Sequence, residues 1–350
     1  MFTESGAAHI PVLPPALPDA LGRPLRDLRL SVTDRCNFRC TYCMPKELFG
    51  QDHPFLPKSD VLTFEEMTRL ARLFVGLGVE KIRLTGGEPL LRRNLPDLIA
   101  RLSRIEGLHD LTLTTNGSAL VSHARPLRDA GLQRLTVSLD ALDDATFRAM
   151  NDVDFPLERV LAGIDVALCA GFAPIKINMV VKRGVNDEQI LPMVRRFKDP
   201  RFIVRFIEFM DVGSTNGWRM QDVMPASEII ARISREFPLQ SIAPNYPGEV
   251  ARRWRHADGA GEIGVIASVT QPFCQGCTRA RISADGHLYT CLFASTGHDL
   301  RTLLRSGADD AALERVLSSI WSARSDRYSQ LRTQATTAAL PKVEMSHIGG

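Results

Sequence analysis

The sequence predicts an α/β fold, a partial (β/α)6 TIM-like barrel over residues 25–211 followed by a smaller C-terminal α+β region. Three observations carry this prediction. From residue 27 to about 210, short β-branched or apolar runs alternate with amphipathic helical stretches, which implies parallel strands joined by crossover helices. Polar residues follow these strands one after another, as they do at the C-terminal strand ends of α/β barrels. After Asp211 the repetition stops.

Residues 1–24, with Pro11, Pro14, Pro15 and Pro18, read as a flexible lead and lack the basic start and apolar core of a secretory signal. The candidate strands are Leu28–Val32, Lys81–Leu84, Asp110–Thr114, Arg134–Leu139, Ile175–Val180 and Phe202–Phe206. Helical patterns such as Phe64–Leu77 and Leu157–Ala170 separate them. Six units are too few for a closed eight-fold barrel, so an open or partial one is expected. A flat doubly wound sheet is the alternative. The groups that follow the strands are Thr33–Cys36, Thr85–Pro89, Thr115–Gly117 and Asp140.

Residues 212–335 form the region expected to close the barrel. A loop leads to a helix at Ala226–Arg235, then to Arg252–Trp254 and the strand-like Gly264–Val269. Arg279–Cys291 reads as a β-hairpin turning at Asp285-Gly286. It would carry Cys291 back towards Cys277 and set Arg279 and Arg281 on one face. A helical pattern returns at Ala311–Ala323, and residues 336–350 form a tail ending in Gly349-Gly350.

Composition narrows the function. The 350 residues include 44% hydrophobic ones, ordinary for a globular protein, and no apolar run approaches a membrane span. A net charge of +3 is too small to argue for nucleic acid. Cytoplasm is the expected compartment.

Six of the seven cysteines fall into two triplets, Cys36-x3-Cys40-x2-Cys43 and Cys274-x2-Cys277-x13-Cys291. Cubane clusters are usually held by four cysteine sulfurs, so three leave one iron open for chemistry. Each triplet is therefore expected to hold a [4Fe–4S] cluster. Zinc is the rival, with His287 the one candidate fourth ligand at the second triplet. Disulfides are disfavoured in a chain long enough to build its own core. Cys169, alone in an apolar helical stretch, reads as a small buried hydrophobe.

The first triplet, with Tyr42 before its last cysteine, resembles the signature of radical S-adenosylmethionine enzymes, and Gly86-Gly87-Glu88-Pro89 resembles their GGEP motif. The fold expectation thus becomes a radical SAM core. The stretch Leu28–Cys43, the stretch Ile82–Pro89, Thr114-Thr115-Asn116-Gly117, Pro272–Cys277 with Arg279 and Arg281, and the terminal Gly349-Gly350 resemble the GTP 3′,8-cyclases of molybdenum-cofactor biosynthesis. This resemblance runs from about residue 25 to the end.

The resemblance implies a lyase with two [4Fe–4S] clusters and S-adenosylmethionine as cofactors. Cys36, Cys40 and Cys43 would hold the radical-generating cluster, and Cys274, Cys277 and Cys291 a second one whose open iron binds guanine. Tyr42, Gly87, Ser138 and Met210 would contact S-adenosylmethionine. Arg29, Arg83, Thr114, Lys176, Arg279 and Arg281 would contact GTP, with Arg29, Arg279 and Arg281 as the catalytic residues. A 5′-deoxyadenosyl radical would abstract the ribose 3′ hydrogen, and GTP would become 3′,8-cyclo-GTP. Implied partners are an electron donor such as flavodoxin or ferredoxin, and cyclic pyranopterin monophosphate synthase downstream. A homodimer stays open.

Each residue also has a structural reading. Arg29 inside a strand could pair with an acid, Lys176 could neutralise a neighbouring carboxylate, and Arg279 and Arg281 could be solvated surface charge. Gly349-Gly350 could be an ordinary frayed end. The competing functions are another twin-cluster radical enzyme, for example one that modifies peptides, and an electron-transfer or zinc-binding module without catalysis.

Overall fold

A computed structural model describes residues 16–332 and 342–349. Its centre is a run of six parallel strands: β1 (Asp27–Ser31), β2 (Lys81–Thr85), β3 (Asp110–Thr115), β4 (Arg134–Ser138), β5 (Ile175–Val181) and β6 (Phe202–Glu208). They pair in chain order, each with the next, which is the order of a partial barrel and not of a doubly wound sheet. The crossovers carry α1 (Phe64–Gly76), α2 (Leu95–Leu102), α3 (Leu120–Asp129), α4 (Asp144–Asn151), α5 (Leu157–Cys169) and α6 (Ile190–Phe197).

The strands form because β-branched and apolar residues suit a buried parallel sheet. In β5 and β6 residues alternate between fully buried and half-buried, so Lys176, Asn178 and Arg205 share the less buried face. The helices present apolar stripes to the sheet; α1 buries Met67, Leu70, Ala71 and Phe74. Its start is fixed by a capping box, in which Thr63 Oγ1 accepts from Glu66 N at 3.1 Å and Glu66 Oε2 accepts from Thr63 N at 2.7 Å.

The C-terminal region adds α7 (Ala226–Ser234), then β7 (Leu239–Ile242), β8 (Arg252–His256) and β9 (Glu262–Ile266). Next come β10 (Arg279–Ile282), β11 (His287–Tyr289) and β12 (His298–Asp299), then α8 (Arg301–Arg305), α9 (Asp310–Ser322) and α10 (Tyr328–Leu331). The tail forms one more helical turn, α11 (Met345–Ile348). Instead of making a second sheet, these strands extend both edges of the first, in the order β12-β11-β10-β1 at one side and β6-β9-β8-β7 at the other. Among the described residues the ladder is therefore not closed, since β12 and β7 are its edges. Buried Glu208, at the end of β6, anchors the junction: its carboxylate accepts from Ala226 N at 2.7 Å, Val269 N at 2.7 Å and Thr270 N at 2.8 Å.

Two expectations need correction. Residues 16–24 are built into the fold: Leu17 N donates to Leu77 O at 3.1 Å, Pro18 bridges Pro24, and Asp19 and Arg23 are buried. The proline-rich composition hides this because Asp19 and Arg23 find their partners near the far end of the chain. Residues 1–15 lie outside the described ones. Cys169 is exposed, because it sits on the outer face of the last turn of α5.

Candidate active site

One cavity of about 300 Å³ is lined by both cysteine triplets and by every other residue singled out as a site candidate from Arg29 to Arg281. The six cysteines are free and half-buried. Cys36, Cys40 and Cys43 occupy the loop after β1; Cys274 and Cys277 precede β10, and Cys291 follows β11. The predicted hairpin forms, with Arg281 opposite Tyr289, so it returns Cys291 to the side of Cys277.

The first triplet rests on the glycine turn that follows β2. Gly87 N donates to Thr33 O at 2.9 Å and Glu88 N donates to Arg35 O at 2.8 Å. A side chain on Gly87 would run into the Arg35 carbonyl, and Gly86 has φ +142°, so this close approach requires glycine. Buried Glu88 then accepts from Thr115 Oγ1 and Asn116 N, both at 2.7 Å, which fastens the turn to the end of β3. Burial pushes its carboxyl up to about 7 despite these bonds. Asp140, after β4, accepts from Tyr42 Oη at 2.8 Å and from Val180 N at 2.8 Å, and burial pushes it up to about 6.

The two triplets differ in how their surroundings treat a thiolate. Burial pushes Cys36 up to about 12 and Cys40 and Cys43 well above the usual range, so bare thiolates are disfavoured there until a metal takes their charge. At Cys277 burial raises the thiol, but the guanidiniums of Arg279 and Arg324 outweigh it and bring it down to about 6. Among the described residues no three His, Cys, Asp or Glu side chains converge on a single ion. A cubane asks for a different spacing, since each thiolate binds its own iron.

Along the same cavity stand Arg29, Lys81, Arg83, Lys176, Arg205, Arg279 and Arg281. Charges this crowded disfavour one another. Burial, then neighbouring Arg205, Arg134, Arg83 and Lys81, hold Lys176 down to about 6. Burial, then Arg281, Arg83 and Arg279, hold Arg29 well below its ordinary range. Counter-charges are few: Asp27 pairs with Lys81 at 2.9 Å. Arg83 Nη1 reaches only hydroxyls, Thr114 Oγ1 at 2.8 Å and Thr136 Oγ1 at 3.3 Å, and Arg205 Nε only Asn178 Oδ1 at 2.8 Å. Arg29 Nε and Arg83 Nε are buried without a partner. Arg281 is 2% exposed, which removes its reading as surface charge, and among the described residues Lys176 neutralises no carboxylate.

The tail reaches this cluster. Arg281 Nη1 donates to the Gly349 carbonyl, and Ile348 is fully buried. Glu344 accepts from Ser214 N at 2.9 Å and Thr215 Oγ1 at 3.0 Å, while Lys342 pairs with Asp211 at 2.8 Å. Gly350 lies outside the described residues.

Sequence reasoning missed Lys81, Arg205, Asn178, Tyr246 and Glu249, all of which line the cavity. Arg205 carried a signal, a cation inside an otherwise apolar strand. Tyr246 and Glu249 carried none, since they sit in an irregular loop before β8.

Residues 30–197 match the family model of the radical SAM superfamily, and residues 202–330 match that of Molybdenum Cofactor Synthesis C. Fold, cysteine loop and glycine turn together define a radical S-adenosylmethionine protein. The structure of Streptococcus suis SuiB bound to S-adenosylmethionine shares the fold, with TM-score 0.58 at 15% identity, covering 90% of this chain and 72% of that one. Among curated relatives, the GTP 3′,8-cyclase of Acidothermus cellulolyticus is 58% identical and that of Staphylococcus saprophyticus 52%, each alignment covering 95% of this chain and 98% of the relative. The chain belongs to the GTP 3′,8-cyclase family.

Proposed function

We propose that this protein is a lyase converting GTP to (8S)-3′,8-cyclo-7,8-dihydroguanosine 5′-triphosphate, the first step towards the molybdenum cofactor. The observation that carries the reading is the cation cluster in a cavity flanked by two cysteine triplets. Buried guanidiniums that lack carboxylate partners need an anion. A triphosphate matches them, because arginine forks suit phosphate oxygens. A peptide substrate would leave most of that charge unmet.

In this reading Cys36, Cys40 and Cys43 hold one [4Fe–4S] cluster, and Cys274, Cys277 and Cys291 hold the other. When bound, the first cluster and S-adenosylmethionine supply the radical that removes the ribose 3′ hydrogen. Tyr42, Gly87, Ser138 and Met210 line the cavity with the first triplet and hold S-adenosylmethionine. The absence of side chains at Gly86 and Gly87 lets backbone approach closely there, which suits carbonyls binding its amino group. Arg29, Arg83, Thr114, Lys176, Arg279 and Arg281 bind GTP, with Arg29, Arg279 and Arg281 holding it for reaction. Arg279 Nη2 lies 3.3 Å from Cys277 Sγ, so it joins the substrate cations to the second triplet.

No helix among the described residues is long and apolar enough to cross a membrane. Free thiols suit the cytoplasm, where a small electron donor such as flavodoxin or ferredoxin reduces the first cluster and cyclic pyranopterin monophosphate synthase consumes the product. Anaerobic incubation with S-adenosylmethionine, reductant and GTP tests the reading. It requires 5′-deoxyadenosine and the cyclised nucleotide in step; uncoupled cofactor cleavage with GTP intact would reject it.

A further inference from the structure

Asp19, Arg23 and Arg324 form a buried ion network beside the second triplet. Their side chains are 0%, 3% and 1% exposed. Asp19 Oδ2 accepts from Arg23 Nε at 2.6 Å and from Arg324 Nη1 at 3.2 Å. Asp19 Oδ1 accepts from the backbone N of Arg23 at 2.9 Å, which folds the segment back on itself. A buried ion pair is sustained only where its other donors also find partners.

Those partners are backbone carbonyls around the second triplet. Arg23 Nη1 donates to Cys274 O at 2.9 Å and to Asp326 O at 2.7 Å. Arg324 Nη1 donates to Cys277 O at 2.8 Å. Arg324 Nε donates to Thr290 O, the residue before Cys291, at 3.0 Å. One carboxylate therefore ties together the peptide units at or beside all three cysteines. Arg23 Nη2 is buried without a partner, and Arg23 and Arg324 both line the cavity.

We infer that Asp19, Arg23 and Arg324 are positioning residues for the second cluster, orienting its three ligands and setting two guanidiniums beside it against the carboxylate of Asp19 and, 3.5 Å from Arg324, that of Asp326. The inference rests on the reading of Cys274, Cys277 and Cys291 as a cluster site. Groups one shell out from a metal fix ligand orientation and tune the metal. Cluster potentials respond to nearby charge. Reduction adds an electron, so a guanidinium nearby favours it and a carboxylate opposes it. Segment 16–24 is thus part of the second metal site, although it precedes the barrel.

The test uses the full chain, reconstituted anaerobically, with iron content and redox titration of each cluster followed by electron paramagnetic resonance. Arg23→Gln should lower the potential of the second cluster and Asp19→Asn should raise it. The first cluster and reductive cleavage of S-adenosylmethionine should stay within about twofold of wild type. Shifts of opposite sign are a signature that a purely structural role would not give. Arg324→Lys keeps the charge but loses the two-carbonyl fork, and should drop iron from roughly eight to roughly four per chain. Loss of the second cluster alone in any variant supports the positioning role, with the first cluster showing that the chain is folded. Full iron with unmoved potentials, shifts of the same sign, or loss of both clusters together would overturn it. A wild-type chain holding only roughly four irons would instead fail the two-cluster reading beneath it.

Discussion

A methyl group on Gly349 would overlap Cγ2 of Thr85, the last residue of β2. The tail backbone therefore lies flush against the strand end, with φ +72° at Gly349 and its carbonyl on Arg281. Gly349→Ala should displace the tail, release Arg281 and suppress cyclisation, while iron content and Tm stay near wild type because a terminus contributes little stability. Adding Thr85→Ser removes the obstructing methyl and should restore part of the activity, the rest being withheld by backbone strain. Removing both terminal glycines should act like Gly349→Ala. Normal GTP turnover by that truncation would make the tail a passive end.

Arg281 is the cleaner probe of substrate binding. Arg279 lies against Cys277 Sγ, so its replacement disturbs cluster and substrate together. Arg281→Gln should retain both clusters and weaken GTP binding about tenfold or more, since a hydrogen bond to a charged group contributes roughly 1.5–3 kcal/mol. Equilibrium dialysis with the reconstituted protein reads this directly. An unchanged Kd would leave Arg281 a partner of the tail alone.

Lys176 sets a pH signature. Held down to about 6, it is mostly neutral at pH 8, whereas the unfolded chain keeps its proton up to about 10.5. The unfolded state thus binds more protons between about 6 and 10.5, and this residue makes stability rise with pH across that window. A triphosphate draws the proton back. GTP binding at pH 8 should take up close to one proton, seen by calorimetry in buffers of different ionisation enthalpy, and should weaken as pH rises. Lys176→Met should abolish the uptake, lower affinity about tenfold, and raise the Tm of the empty protein. Uptake that survives the substitution would place the titrating group elsewhere.

The cysteines make the simplest prediction. Replacing Cys36, Cys40 and Cys43 by alanine should halve the iron, from roughly eight to roughly four per chain, and abolish cleavage of S-adenosylmethionine. A tightly bound zinc at either triplet, found by elemental analysis, would refute the two-cluster reading.

The barrel was legible because its strands read as β-branched, apolar runs. All six parallel strands of the barrel overlap the expected ones, and the helix from Phe64 ends one residue from its expected end. Strand β7, Leu-Gln-Ser-Ile, was missed because all four of its residues keep exposure, so no apolar alternation marks it. Cysteine spacing announced both triplets, since their ligands are close in sequence. The pairing of Asp19 with Arg324 spans 305 residues, and no local pattern records a contact of that kind. For the same reason Tyr246, which meets Lys81 across 3.5 Å, could not be seen in advance.

Strand β10 lies parallel to β1, with Asp27 beside Arg279 and Leu30 beside Ile282. One triplet follows the far end of β1, while Cys277 precedes the near end of β10. The two triplets thus lie beyond opposite ends of one hydrogen-bonded ladder, whose four paired residues, at about 3.3 Å each, span roughly 13 Å. The ladder acts as a fixed caliper. A chain with one residue inserted in β1 would have to break register with β2 and β10 at once, so the offset between the two cysteine loops is written into the length of a strand.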